Sequence, residues 1–142
     1  MRLLFILLFI ANLAVTLISM VVLPDRVAIH FGADGMANGW APNYINAILM
    51  TGVYILIYCV IYFSPRCLRL VPSKWINLPH KEYWLSPANQ ALAVEKMQGF
   101  MWRFGVAIML LFLVDGLLTI QANLSKFRMT EAKRTPIRFD KF

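Results

Sequence analysis

The run LLFILLFIANLAVTLISMVVL, residues 3–23, contains no charged side chain. As a helix it rises roughly 32 Å, and the hydrocarbon core of a bilayer is about 30 Å thick. A cleaved signal peptide is the alternative interpretation. The run is longer than the usual apolar region of about 7 to 15 residues, however, and no small-x-small cleavage site precedes Pro24. The run therefore predicts a first membrane-spanning helix.

The rest of the chain shares this apolar character. Of its 142 residues, 60% are hydrophobic and 15% are charged, and the mean hydropathy is +0.64. Soluble domains carry about 45–50% apolar and about 25% charged residues. A second uncharged run, INAILMTGVYILIYCVIYF at 45–63, stops at Ser64-Pro65 and predicts a second spanning helix. We therefore expect an integral membrane protein.

A third apolar run, GVAIMLLFLVDGLLTIQA at 105–122, contains Asp115 near its middle. A central Asp costs about 2.5–3.5 kcal/mol on the insertion scale, but the surrounding Leu, Ile, Val and Phe return about 0.3–0.6 kcal/mol each. Residues 87–103 precede this run and show a two-faced helical pattern. The predicted fold class is an all-α integral membrane protein with three transmembrane helices, a short outer cap loop and an interfacial amphipathic helix before helix 3.

The predicted organisation is a single membrane domain, residues 1–124, followed by a basic and poorly ordered tail, residues 125–142. The tail SKFRMTEAKRTPIRFDKF is rich in Lys and Arg and lacks clear apolar periodicity.

Two polar residues of the predicted spans are candidates for special roles. Asn12 falls on one helix face with Thr16 and Ser19, a pattern that favours hydrogen bonding between helices. Asp115 is a candidate functional residue because carboxylates are rare inside membranes. A proton relay would need further ionisable groups, which helices 1 and 2 lack. We therefore expect a neutral Asp115 that is hydrogen-bonded to Asn12 or to a tyrosine.

The stretch LPDRVAIHFGADGMANGW, residues 23–40 and called the cap below, interrupts the apolar chain. Alternating Val27, Ile29 and Phe31 predict a short strand, and Ala-Asp-Gly at 33–35 predicts a turn, so we expect a small folded cap over helices 1 and 2. A divalent-cation site made by His30, Asp25 and Asp34 is an alternative, but a loop histidine near acids is usually solvated. The candidate binding residues here are Asp25, Arg26, His30, Phe31, Asp34 and Trp40.

A second loop between helices 2 and 3 mixes aromatic with basic residues, which is typical of a membrane interface. Its candidate binding residues are Asn77, His80, Tyr83 and Trp84. His80 and the His30 of the cap flank opposite ends of helix 2, so they cannot share a metal ion.

Cys59 and Cys67 form neither a CxxC pair nor a zinc ligand set. No nucleophile with a base, no metal ligand set and no cofactor motif is present, so we expect no enzyme activity, no metal and no cofactor.

Both loops resemble one family. The cap is similar to the signature of a bacterial membrane domain related to SdpI-type bacteriocin immunity proteins, and INLPHKEYWLSPANQ is similar to the second loop of one subgroup of it. The residues that carry the resemblance are Leu23, Pro24, Asp25, Arg26, His30, Phe31, Gly35 and Trp40 in the first loop, and Asn77, Leu78, Pro79, His80, Tyr83, Trp84, Leu85 and Pro87 in the second.

The resemblance, which covers residues 1–124, implies an orientation. The 14 Lys and Arg residues divide equally between the two sides of a three-span model, so the positive-inside rule gives no answer. The family places its first loop outside and its second inside, in the bacterial cytoplasmic (inner) membrane. It usually continues into a fourth helix after QANL, and the tail here offers none.

Two kinds of function follow as expectations. The first is a non-enzymatic protein that senses, or gives immunity to, an extracellular membrane-active peptide. The second is an accessory or assembly subunit of a larger membrane complex. In both cases the net charge of +7 favours contact with anionic lipid head groups, and its pattern does not indicate nucleic-acid binding.

Overall fold

A computed structural model describes residues 1–67 and 70–134 of the chain. Four helices, one two-stranded sheet and one 3₁₀ turn lie in these ranges. In chain order they are α1 (Arg2–Val22), β1 (Arg26–Phe31), β2 (Ala37–Pro42), α2 (Asn43–Cys67), the 3₁₀ turn Ser73–Trp75, α3 (Lys81–Trp84) and α4 (Gln90–Arg134). Within the described residues, α1, α2 and α4 are long and apolar enough to cross a membrane, which confirms the predicted fold class.

The long helices form a bundle in which α1 and α4 run parallel. The Asn12 side chain bonds to the Met109 carbonyl, and Val15 of α1 lies against Gly116 of α4. These contacts advance in the same direction along both helices. Tyr54 of α2 meets Phe112 of α4, whereas residue 61 of α2 lies beside residue 105, so α2 runs antiparallel to the other two. The alternating directions of α1, α2 and α4 are those of a chain that crosses the bilayer three times.

One helix replaces two predicted ones. The sequence pattern separates an interfacial helix at 87–103 from a spanning helix at 105–122, but α4 runs without a break from Gln90 to Arg134. No proline lies between Pro87 and Pro136, and Ala, Leu, Met, Glu and Gln favour helix throughout. A change of polarity along a chain does not end a helix when no residue breaks its backbone hydrogen bonds. The first part of the predicted tail is therefore helical, and residues 135–142 lie outside the described residues.

A group of large side chains fills one half of the bundle, called the aromatic half. Phe5, Ile61 and Met109 are fully buried there, one from each long helix. The Phe5 ring stacks on the Tyr58 ring, with 5.6 Å between the ring centroids, and contacts the Trp102 ring at a centroid distance of 5.4 Å. A Cβ atom on Gly105 would lie 2.8 Å from the Phe5 ring, so the glycine allows α1 and α4 to approach each other closely.

The cap forms a β-hairpin at the other end of the bundle, called the cap half. β1 and β2 pair antiparallel, from Arg26 opposite Pro42 to Phe31 opposite Ala37, with bulges around His30. The predicted strand corresponds to β1, and Gly35 in the predicted turn has a φ of +73°. β2 was not predicted. It includes Gly39 and Trp40, which follow the predicted turn.

Candidate functional site

A single side chain of α4 holds the hairpin in place. The Asn123 Oδ1 accepts the Ala28 N–H at 2.7 Å, and its Nδ2 donates to the Ala28 carbonyl at 3.1 Å. The amide therefore pairs with the free edge of β1 as a neighbouring strand would, and both Asn123 and Ala28 are buried. Its Nδ2 also donates to the Thr119 carbonyl of its own helix at 2.9 Å. The hairpin is consequently fixed to the end of the bundle.

A second asparagine closes the base of the cap. The Nδ2 of Asn43, the first residue of α2, donates to the Ser19 carbonyl at 3.1 Å and to the Leu23 carbonyl at 3.4 Å. These carbonyls lie at the end of α1, and the Ser19 carbonyl also accepts the Leu23 N–H at 3.0 Å. The Asn43 backbone N–H donates to the Asp25 carbonyl at 2.8 Å. The side chain thus ties the end of α1 to the start of α2.

The outward surface of the cap combines apolar and charged side chains. Ile29 is 47% exposed, Met36 65% and Trp40 41%, although each is large and apolar. Asp25 and Arg26 are exposed at the base of the hairpin. They line an open depression of about 390 Å³ together with Met20, Leu23, Pro42, Asn43 and Tyr44. An exposed apolar surface bordered by charges is typical of a binding surface.

His30 and Asp34 are both exposed but help to shape the hairpin. The His30 Nδ1 is hydrogen-bonded to the Asn38 Oδ1 across the two strands. Asp34 Oδ1 accepts the Met36 N–H at 2.9 Å, which stabilises the turn. Among the described residues, no three His, Cys, Asp or Glu side chains come together in a way that could hold a metal ion.

The candidates of the second loop lie at the opposite end of α2. His80 precedes α3 and is left-handed at φ 53°, and Tyr83 is exposed beside Trp84, with ring centroids 5.1 Å apart. The Tyr83 carbonyl accepts hydrogen bonds from the side chains of Ser86 and Asn89. Asn77 is also exposed. His30 and His80 therefore belong to separate sites, as the sequence predicts.

Asn12 joins α1 to α4 in the bundle. Its Nδ2 donates to the Leu8 carbonyl at 2.8 Å and to the Met109 carbonyl at 2.9 Å. Both amide hydrogens are used in these bonds, so Asn12 has no hydrogen left to donate to Asp115. Asn12, Thr16 and Ser19 are all buried, in agreement with an inward-facing polar stripe.

A cavity of about 100 Å³ lies between the three long helices, directly beneath the hairpin. We call it the intramembrane cavity. Asp115 lines this cavity, which is open, and its side chain is exposed. Tyr54 interacts with Thr16 and lines the same cavity as Asp115, and a hydrogen bond between Asp115 and a tyrosine stays a prediction. The full lining is Val15, Thr16, Ser19, Leu23, Ile29, Phe31, Asn46, Met50, Tyr54, Asp115, Gly116, Thr119 and Ile120.

Several residues of these sites were not identified from the sequence. The candidates do not include Asn43, Asn46, Tyr54, Thr119 and Asn123. One signal was available for α4, since Asp115, Thr119 and Asn123 recur every four residues and so share a helix face.

The three apolar helices define a multi-pass membrane protein. A family model described as a domain of unknown function, DUF1648, matches residues 7–55. The matched part contains most of α1, the whole hairpin and the first half of α2. No curated protein and no solved structure matches the chain.

Proposed function

We propose that this chain is a non-enzymatic protein of the bacterial cytoplasmic membrane that senses, or gives immunity to, an extracellular membrane-active peptide. The observation that carries the proposal is the surface of the cap. A hairpin held by Asn123 presents Ile29, Met36 and Trp40 beside Asp25 and Arg26. Membrane-active peptides are amphipathic, so a surface with both apolar and charged groups suits them.

Three further considerations support this assignment. The sequence resemblance to the family related to SdpI-type immunity proteins implies that the cap lies outside the cell. A rigid binding surface loses little conformational entropy on binding, and the bonds at Asn123 and Asn43 keep the hairpin in one arrangement. The second loop, with exposed Tyr83, lies at the opposite end of α2 and is suited to contact an intracellular partner.

A bacterial strain that lacks the gene provides the test, complemented with matched levels of the protein and challenged with a panel of lysine-rich amphipathic peptides. The wild type should restore protection, and His30→Ala and Asp34→Ala should abolish it. Asp34→Asn separates charge from fold, because the amide oxygen can still accept the Met36 N–H. Loss of protection in Asp34→Asn would show that protection requires the negative charge of Asp34. Glu82→Ala, which removes an exposed acid from the second loop, is the matched control and should protect normally.

Replacement of Tyr83 or Trp84 should impair any signalling response and leave peptide binding at the cap intact. The proposal fails if deletion of the gene changes sensitivity to none of the peptides.

An accessory-subunit role is the alternative, and it is favoured by the length of α4, which continues from Asn123 to Arg134 beyond the bond that holds the hairpin. Loss of a co-purifying membrane complex on deletion, without a change in peptide sensitivity, would establish that alternative.

A further inference from the structure

We propose that the intramembrane cavity is a binding site for an alkylammonium group, the charged head of an amphiphilic primary amine, with Asp115 as its counter-ion. This site lies between the helices and shares Leu23 and Ile29 with the cap surface, but Asp115 and the hydroxyl groups that would hold the cation all belong to the long helices. The inference therefore does not depend on the proposed peptide function, although a lysine side chain of such a peptide has this chemistry.

The lining of the cavity supplies acceptors for an ammonium group. Besides the Asp115 carboxylate, it contains the hydroxyl groups of Thr16, Ser19, Tyr54 and Thr119. The Ser19 hydroxyl donates its hydrogen to the Thr16 carbonyl at 2.7 Å, which leaves the lone pairs of its oxygen available. An ammonium group carries three N–H donors and no acceptor. One carboxylate and two hydroxyl oxygens are enough to satisfy it.

The charge balance of the cavity favours a cation. No lysine, arginine or histidine is among the lining residues that the structure describes. Ionisable groups inside membranes are expensive and normally pair with an opposite charge or face a water-filled space. Asp115 lies about 12 Å along α4 from Asn123, at 1.5 Å per residue, so it is well below the level of the hairpin. A bound ammonium group supplies the positive partner that the described lining residues do not.

Size and shape favour an organic cation. The cavity of about 100 Å³ has the volume of roughly three waters at about 30 Å³ each, which is room for an ammonium head and its first methylene groups. The apolar side chains of Ile29, Phe31, Met50 and Ile120 complete the lining and can contact an alkyl chain. Hard metal cations such as Ca²⁺ prefer a shell of about 6–8 oxygens and gain nothing from an apolar wall.

The test uses n-hexylammonium chloride as the probe with the purified full chain in a neutral maltoside detergent. Unfolding on heating is followed by the fluorescence of the four tryptophans. A ligand that binds only the folded state raises the midpoint as its concentration increases. We expect a saturable rise of a few degrees with n-hexylammonium and none with n-hexanol, which has the same chain and no charge.

Variants identify the site. Asp115→Asn should shift half-maximal stabilisation to at least about tenfold higher amine concentration, equivalent to about 1.4 kcal/mol. Thr119→Val keeps the carboxylate and should weaken binding by a smaller factor. Glu82→Gln removes an exposed carboxylate of the second loop and should leave amine binding unchanged. Unchanged stabilisation in both Asp115→Asn and Thr119→Val would overturn the proposal. So would an equal effect of n-hexanol, or an equal saturable effect of sodium chloride.

Discussion

The two halves of the bundle are built from different chemistry. In the aromatic half, Phe5, Ile61 and Met109 are fully buried and Gly105 brings α1 against α4 without a gap. In the cap half, the same helices face each other with hydroxyl, amide and carboxyl groups and leave the intramembrane cavity between them. Close packing of apolar side chains stabilises a fold but offers nothing to a polar ligand. Apolar packing is therefore concentrated in the aromatic half, and the recognition that we propose would fall to the cap half.

The largest effect is expected from a substitution that disturbs the aromatic half. Gly105→Leu forces a side chain into the Phe5 ring, and overpacking of this kind costs about 1–3 kcal/mol. Gly52→Leu is the matched control, because no atom lies within 4 Å of a Cβ at Gly52 and a leucine there gains about 1 kcal/mol of helix propensity. The thermal midpoint of the detergent-solubilised protein, measured by size-exclusion chromatography after heating, should fall for Gly105→Leu alone. Equal midpoints would show that the helices do not touch at Gly105.

In the cap half the effect is expected to be local, so that it opens the hairpin and changes the stability of the whole bundle less. Asn123→Ala removes both hydrogen bonds to Ala28. The buried Ala28 N–H is then left unpaired, which costs the docked hairpin about 1–3 kcal/mol of stability. Because the aromatic half is untouched, the hairpin should loosen while the bundle remains folded. Trypsin cleavage after the exposed Arg26 should therefore become faster, with little change in the thermal midpoint.

The control for this prediction is Ser125→Ala. Ser125 donates only to the Ala122 carbonyl of its own helix, so cleavage at Arg26 should stay at the wild-type rate. A wild-type cleavage rate in Asn123→Ala would mean that the hairpin is held by other contacts.

The sequence predicts the parts of the fold that depend on local composition. Uncharged runs indicate α1 and α2, and the alternation of Val27, Ile29 and Phe31 together with the turn at Gly35 indicates one strand of the hairpin. β2 was missed because ANGWAP contains Ala, Asn, Gly and Pro, which are poor strand formers, and pairing with β1 stabilises it instead.

The site was less predictable because its geometry depends on how the helices pack. The sequence singles out Asn12 and Asp115 but cannot show that the first is bonded to Met109 and the second faces a cavity. Their partners come from other helices, and the relative rotation and register of those helices decide which side chains meet. The role of Asn123 is likewise visible only once β1 lies beside α4.

We propose that the cap faces the outside of the cell and the second loop faces the inside, with α2 crossing the membrane between them. Two single-cysteine variants test it directly, Met36→Cys in the cap and Trp75→Cys in the second loop, in a background with Cys59 and Cys67 replaced by serine. Both positions are well exposed, at 65% and 73%. A membrane-impermeant maleimide applied to intact spheroplasts should label the Met36 variant at once and the Trp75 variant only after permeabilisation. Labelling of both variants from outside, or of the Trp75 variant alone, would contradict the account.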